Sequence, residues 1–162
     1  MVSSDLIESV ADLLTKKKIT ISTAESCTGG LLGHLLTSIS GSSVYYDRGI
    51  ISYTNQAKHE LLNVSVDLLE NYGAVSKQVA EAMAEGVRKN AQADIGVSTT
   101  GIAGPTGGSK EKPVGLVYIG LSTKKKTVVN RFVFDGDRLE NKDSTCVEAL
   151  RLIRKEVENQ EL

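Results

Sequence analysis

The chain has 162 residues, of which 19 are Lys or Arg and 20 are Asp or Glu, and its formal net charge is −1. This length falls within the roughly 100–200 residues of one ordinary domain, so we predict a single domain over residues 1–162. The balanced charge excludes the basic surface of a duplex-binding protein, and an aromatic content of 4% offers few side chains for stacking on single strands. We therefore expect no nucleic-acid partner.

The sequence also bears on compartment and metal content. No apolar run approaches the roughly 20 residues that cross a bilayer, and the N-terminus has no basic segment leading into a hydrophobic stretch. Cys27 and Cys146 are far apart, and with only His34 and His59 beside them they form no ligand set for structural zinc. We expect a soluble, cytoplasmic protein with no membrane partner and no metal.

Hydrophobic periodicity predicts helices and strands that alternate along the chain. Asp5 with Glu8 is typical of a capping box and opens a helix of about four turns that ends in the run Lys16–Lys18. A strand at Ile19–Thr23, a polar turn at Glu25–Gly30 and a helix from Leu31 to Ile39 follow. The later elements are a strand at Val44–Thr54, helices at Asn55–Leu62, Asp67–Tyr72 and Ser76–Asn90, a strand at Asp94–Thr100, a hairpin of Val114–Thr123 with Thr127–Phe134, and a helix from about Leu139 to Glu158. This order predicts an α/β fold, a three-layer α/β/α domain with a mixed central sheet.

Three polar turns, two of which contain glycine, follow predicted strands, where open α/β sheets bind ligands. In the first turn, Thr23–Gly30, Ser26 is compatible with a helix N-cap and with a nucleophile. Gly29 and Gly30 in the first helical turn favour the nucleophile, because glycine there lets backbone approach a ligand and leaves N–H groups free for an oxyanion. Cys27 is the intrinsically better nucleophile, but no histidine is marked as its base, so a buried structural thiol is favoured.

The second and third turns are less specific. Asn55 can cap a helix whose first turn contains Lys58, where the helix dipole favours a neutral amine and hence a base. Taken by itself, that segment favours a solvated lysine over a base, and His59 lies on another side of the helix. The segment Gly101–Gly108 has the composition of a phosphate or oxyanion cradle but matches neither the dinucleotide fingerprint nor the P-loop. A loop that needs positive φ angles also explains it.

Four strings in this order, TAESCTGG, SYTNQAKHELLNV, TTGIAGPTGG and FDGDR, closely resemble the CinA C-terminal domain family. The resemblance covers nearly the whole chain and implies a nicotinamide-nucleotide amidohydrolase, which converts nicotinamide mononucleotide to nicotinate mononucleotide and ammonia. It places the serine nucleophile at Ser26 and its base at Lys58, with no metal or organic cofactor. Family members usually carry a second arginine shortly after FDGDR, and this sequence has Lys142 there, a point charge in place of a planar bidentate donor.

The matched motifs also suggest supporting roles. Tyr53 is expected to orient Lys58 or relay its proton, and Arg138 to bind the 5′-phosphate. The other expected substrate contacts are Cys27, Thr28, Gly29 and Gly30 at the oxyanion, and Thr100, Gly101 and Gly104 at the ring amide or ribose. The expected partner is therefore a small pyridine nucleotide, and a homo-oligomer is the default assembly for a small enzyme.

Two alternatives stay open. A non-catalytic nucleotide-binding or interaction module, consistent with the competence- and damage-inducible naming of the family, would keep the glycine-rich loop and Arg138. It would tolerate loss of the Ser26 and Lys58 pair. An amidohydrolase acting on a different small amide is the other alternative.

Overall fold

The computed structural model describes residues 1–160. Its helices are α1 (Ser4–Lys17), α2 (Leu31–Thr37), α3 (Asn55–Leu62), α4 (Val66–Tyr72), α5 (Lys77–Ala91) and α6 (Arg138–Asn159). Its strands are β1 (Ile21–Glu25), β2 (Tyr46–Ile51), β3 (Ile95–Gly101), β4 (Leu116–Ser122) and β5 (Thr127–Val133). No helix in this part of the chain is long and apolar enough to cross a membrane.

The five strands form one mixed sheet in the order β2-β1-β3-β4-β5. β1 runs parallel to both β2 and β3, whereas β4 is antiparallel to β3 and to β5. Helices cover both faces, so the predicted α/β fold with a mixed sheet is confirmed. The predicted order of helices and strands is confirmed as well.

Several predicted boundaries are wrong by a few residues. The first strand begins at Ile21 rather than Ile19, because Lys18 takes a left-handed conformation that ends α1 and the next residues form the connection. The second strand is shorter than Val44–Thr54, since Ser42–Val44 forms a short 3₁₀ turn. In both cases apolar residues of a connection extend the strand-like pattern, which periodicity alone does not separate from the strand.

The predicted capping box at the start of α1 is also wrong. The N-cap is Ser3, whose side chain makes no capping hydrogen bond, and Asp5 lies inside the first turn. A capping box opens α6 instead. There the Asp137 carboxylate accepts from the Glu140 N–H at 2.9 Å, and the Glu140 carboxylate accepts from the Asp137 N–H at 2.8 Å.

Two apolar layers hold the helices on the sheet. α1, α2 and α6 pack on one face, where Leu14, Leu150 and Ile153 are buried. α5 packs on the other face through Val79, Met83 and Val87, which recur at helical spacing, together with residues of α3 and α4. β1 lies between the two layers, and all five of its residues are buried.

The parallel strands place the first two polar turns side by side. The Ser26 N–H, just after β1, donates to the Thr99 carbonyl of β3 at 2.9 Å. The Ser52 N–H, just after β2, donates to the Glu25 carbonyl at 2.8 Å. Because the carboxyl ends of parallel strands meet at one edge of the sheet, the segments after β1, β2 and β3 converge there.

Candidate active site

A buried carboxylate shapes the turn after β1. Glu25 is only 2% exposed, and its oxygens accept from the Thr28 hydroxyl at 2.6 Å, the Leu32 N–H at 2.8 Å and the Gly33 N–H at 2.9 Å. The last two donors open α2, where a negative charge is favoured by the unpaired N–H groups of the helix. Glu25 therefore ties the end of β1 to the start of α2 and bends the intervening residues, Ser26–Gly30, into an arch.

The glycine pair lies in this arch. The prediction that it lies in the first helical turn is wrong. Gly29 and Gly30 have φ angles of 60° and 103°, and α2 begins after them at Leu31. Left-handed φ values are the physical reason for glycine at both positions. The N-cap alternative for Ser26 is also excluded, because Gly30 is the N-cap residue of α2.

Ser26 lies against Lys58. The Lys58 Nζ is 3.0 Å from the Ser26 Oγ, and the two residues are 1% and 8% exposed. Lys58 reaches this position from the first turns of α3. The N-cap of α3 is Thr54, whose hydroxyl accepts from the Ala57 N–H at 3.1 Å, and not Asn55 as predicted. The solvated-lysine alternative is excluded by the burial of Lys58.

Two backbone carbonyls orient the Lys58 amine. Its Nζ donates to the Ser52 carbonyl at 2.9 Å and to the Tyr53 carbonyl at 3.3 Å, and no Asp or Glu lies within ion-pair distance of it in residues 1–160. Burial lowers the pKa of Lys58, an effect only partly opposed by the nearby Cys27. A neutral amine that donates both N–H groups to these carbonyls directs its lone pair at the Ser26 hydroxyl. This is the geometry of a general base next to a nucleophile.

Cys27 lies in a different environment from Ser26. Its side chain packs in the apolar layer on the face of α1 and α6, and burial raises the pKa of the thiol to about 12. The thiol therefore stays protonated at neutral pH, which disfavours a nucleophilic role.

The backbone of the arch offers fewer donors than the resemblance implies. The Gly29 N–H donates to the Ser26 carbonyl at 3.1 Å and is occupied. In the described chain no acceptor is bonded to the N–H of Cys27, Thr28 or Gly30, so these three groups are the donors left free in the arch. The Thr28 hydroxyl bonds to Glu25 and to Thr99 and faces the interior.

Arg138 and Tyr53 form the far side of the site. Arg138 is the first residue of α6, and its Nη1 donates to the Gly104 carbonyl at 2.7 Å while its Nη2 donates to the Tyr53 hydroxyl at 3.0 Å. The Tyr53 hydroxyl therefore points to Arg138, and it is the Tyr53 carbonyl that reaches the Lys58 amine. Thr100 donates to the Ala74 carbonyl at 2.8 Å, which ties β3 to the segment before α5.

These residues enclose a cleft of about 270 Å³. The predicted site residues that line it are Ser26, Cys27, Tyr53, Lys58, Thr100, Gly101, Gly104 and Arg138. Thr28, Gly29 and Gly30 are not among its lining residues. Within residues 1–160, no group of three or more His, Cys, Asp or Glu side chains is placed to hold a metal ion.

The family model of the CinA C-terminal domain matches residues 3–157. The chain belongs to the CinA C-terminal domain family. A relative from Caldicellulosiruptor bescii, named as a competence-damage inducible protein, is 51% identical over 152 residues. That alignment covers 94% of this chain and 37% of the relative, so the chain spans little more than a third of the curated protein's length.

Solved CinA structures have the same fold. A competence/damage inducible protein from Agrobacterium tumefaciens is 39% identical with a TM-score of 0.92, and the match covers 96% of this chain and 95% of that one. A competence-damaged protein (CinA) superfamily protein from Escherichia coli is 33% identical with a TM-score of 0.90, covering 94% and 89% of the two chains.

Two features of this CinA chain were not apparent from its sequence. Lys142, the lysine that follows the FDGDR segment, does not line the cleft; it lines a separate narrow crevice together with Cys27 and Ala103. Asn141 is buried, donates to the Ala103 carbonyl at 2.9 Å and accepts from the Gly136 N–H at 3.0 Å. It thereby joins the glycine-rich loop to the FDGDR segment. The sequence signal that could have found Asn141 is its position as a polar residue on the inward, largely apolar face of α6.

We predict that Glu25→Gln destabilises the fold. The glutamine side chain has one oxygen that accepts and an NH2 group that only donates. At least one of the three donors around position 25 is therefore left unpaired in the interior. This costs about 2 kcal/mol and lowers Tm by roughly 4–8 °C. Chemical and thermal denaturation measure the loss. Glu70→Gln, at an exposed glutamate, is the matched control, and equal stability of the two variants would contradict the role assigned to Glu25.

Proposed function

We propose that this protein is a serine amidohydrolase that releases ammonia from the carboxamide of nicotinamide mononucleotide. The observation that carries the proposal is the Lys58 amine, which is buried without a carboxylate and lies 3.0 Å from the Ser26 hydroxyl in a cleft. At the ordinary lysine pKa of about 10.4, only about 0.04% of the amine would be neutral at pH 7. The lowered pKa of Lys58 raises that fraction, and a base requires the neutral form.

The residues of the cleft account for each step of an acyl transfer. Neutral Lys58 takes the proton of Ser26 as its Oγ attacks the carboxamide carbon. The N–H of Cys27, a residue that lines the cleft, has no acceptor in the described chain and is the donor for the developing oxyanion. Protonated Lys58 then gives its proton to the departing nitrogen, which leaves as ammonia. A water molecule, deprotonated by Lys58, attacks the resulting ester, and its cleavage yields the carboxylate and restores the Ser26 hydroxyl.

The choice of substrate rests on the far side of the cleft and on the family resemblance. The Arg138 guanidinium uses two of its N–H groups on Gly104 and Tyr53, and the others are available to a phosphate. A pyridine mononucleotide places its carboxamide at one end and its phosphate at the other, with the Gly101–Gly107 backbone beside the sugar. The competence-damage names of the relatives do not specify a reaction.

The direct test is ammonia release by the purified chain from nicotinamide mononucleotide, compared with nicotinamide, nicotinamide riboside and glutamine. We predict activity on the mononucleotide, at least a thousandfold loss in Ser26→Ala, and retention of most activity in Cys27→Ser, since the hydroxyl carries the acyl group. Binding of the mononucleotide without ammonia release would favour a non-catalytic module. A Ser26→Ala variant that retains more than about a tenth of the wild-type rate would overturn the assigned nucleophile.

The role of Lys58 predicts a specific pH dependence. Because the base must be neutral, kcat/KM should rise with pH through an ionisation below the ordinary value of about 10.4, and Lys58→Ala should abolish that rise. Lys58→Arg should be as damaging as Lys58→Ala, since a guanidinium keeps its proton. pH–rate profiles of the three proteins on one substrate decide the matter. A partly active Lys58→Arg variant would indicate that the positive charge, and not proton transfer, is what the site needs.

For Arg138, we predict that Arg138→Ala raises KM for the mononucleotide by about 10- to 100-fold. The reason is the loss of a charge-assisted contact to the phosphate, which contributes about 1.5–3 kcal/mol to binding. The same variant should leave kcat/KM for nicotinamide riboside, which lacks the phosphate, nearly unchanged. Arg151→Ala, at an exposed position of the same helix, is the matched control. Equal losses on both substrates would assign Arg138 to loop structure instead of phosphate binding.

A further inference from the structure

β5 is an edge strand with unpaired backbone groups. It pairs only with β4 in the described sheet. At the two ends of this pairing, the Thr123 N–H donates to the Lys126 carbonyl and the Phe134 N–H donates to the Gly115 carbonyl. In an antiparallel pair, alternate residues exchange bonds with the partner strand, so the even-numbered residues of β5 face β4. The N–H and C=O groups of its odd-numbered residues, 127 to 133, point away from the sheet.

The two edges of the sheet differ in how they discourage pairing. The opposite edge, β2, exposes Asp47 and Arg48 and pairs with β1 in a register interrupted by an irregularity. β5 carries a single charge, Arg131, in seven residues with a regular register, and exposes Val128 at 38% and Val133 at 52%. Charges and irregularities protect natural edge strands from pairing, and β5 largely lacks both.

We propose that β5 pairs antiparallel with β5 of a second copy of this chain, about a two-fold axis at Asn130, to form a continuous ten-stranded sheet. Asn130 is the central residue of Thr127–Val133, so this register aligns the whole strand with its copy. It pairs Val129 with Arg131, and Thr127 with Val133, all of which present outward N–H and C=O groups. It also sets exposed Val128 opposite Phe132 of the second copy, on the same side of the sheet.

Charge complementarity at the ends of the strand supports the second copy as the occupant. β5 is preceded by an exposed lysine turn, Lys124–Lys126, and followed by exposed Asp135. An antiparallel arrangement centred on Asn130 brings the lysine turn of each copy next to Asp135 of the other, twice by symmetry. The surface is therefore complementary to itself.

Neighbouring registers that keep the outward groups paired are less favourable. A shift toward the C-terminus centres the axis on Arg131 and sets the two arginines directly opposite each other, which is destabilising. A shift toward the N-terminus centres it on Val129 and moves Lys125 opposite Val133, so the contact with Asp135 is lost. The register centred on Asn130 avoids both problems. This inference does not depend on the proposed function.

The first test measures mass and amide exchange of the 162-residue chain. We expect analytical ultracentrifugation to find a dimer of the 17.3 kDa chain, and hydrogen exchange to show protection of the odd-numbered amides of β5 as well as the even-numbered ones. Val129→Pro removes an outward N–H without breaking a β4 bond, so it should give a folded monomer in which the odd-numbered amides exchange rapidly. A monomeric wild-type chain, or a dimer with unprotected odd-numbered amides, would overturn the proposal.

The second test reverses the charges at the strand ends. Lys125→Glu and Asp135→Lys should each weaken dimerisation by about tenfold, because each creates two symmetric repulsive contacts, and the double variant should restore it. Lys89→Glu makes the same charge change near the opposite edge of the sheet and should leave the dimer unchanged. No weakening in either single variant, or no recovery in the double variant, would reject this interface.

Discussion

The candidate site depends on one amine that is buried without a counter-ion. Lys58 exchanges hydration for contacts with two carbonyls and one hydroxyl, and its charged form is the one that burial penalises. Because its pKa is lowered on folding, the folded protein binds fewer protons than the unfolded chain between the lowered value and about 10.4, so this group adds stability as pH rises through that window. At neutral pH the same group costs stability, a cost typical of functional sites.

The mixed sheet explains how distant segments meet at this amine. β1 and β2 end side by side, which sets Ser26 next to the carbonyls of Ser52 and Tyr53. α3 starts directly after β2 and returns Lys58 to the same point. The antiparallel strands β4 and β5 then bring the chain back so that α6 begins at the other side of the cleft with Arg138.

Two buried polar side chains hold the loops around the cleft without lining it. Glu25 links β1 to α2 beneath the nucleophile arch, and Asn141 links the glycine-rich loop to the start of α6. Each satisfies backbone groups that would otherwise be unpaired in the interior. The arch and the glycine-rich loop, which have few side chains of their own to pack, are thereby held in one conformation.

The sequence by itself determined the order of helices and strands, the mixed α/β class and the three turns that carry the candidate site. Apolar periodicity and glycine-containing polar turns are local signals, and the matched motifs add Ser26, Lys58 and Arg138. Tertiary structure alone decided that Lys58 is buried, that the Tyr53 hydroxyl meets Arg138, and that Gly29 and Gly30 precede α2. The contacts of Lys58 and of the Tyr53 hydroxyl join residues far apart in the chain, 32 positions for Ser26 with Lys58 and 85 for Tyr53 with Arg138. Periodicity reports only which face of an element is apolar, so the pairing of polar groups between elements is set by packing across the sheet.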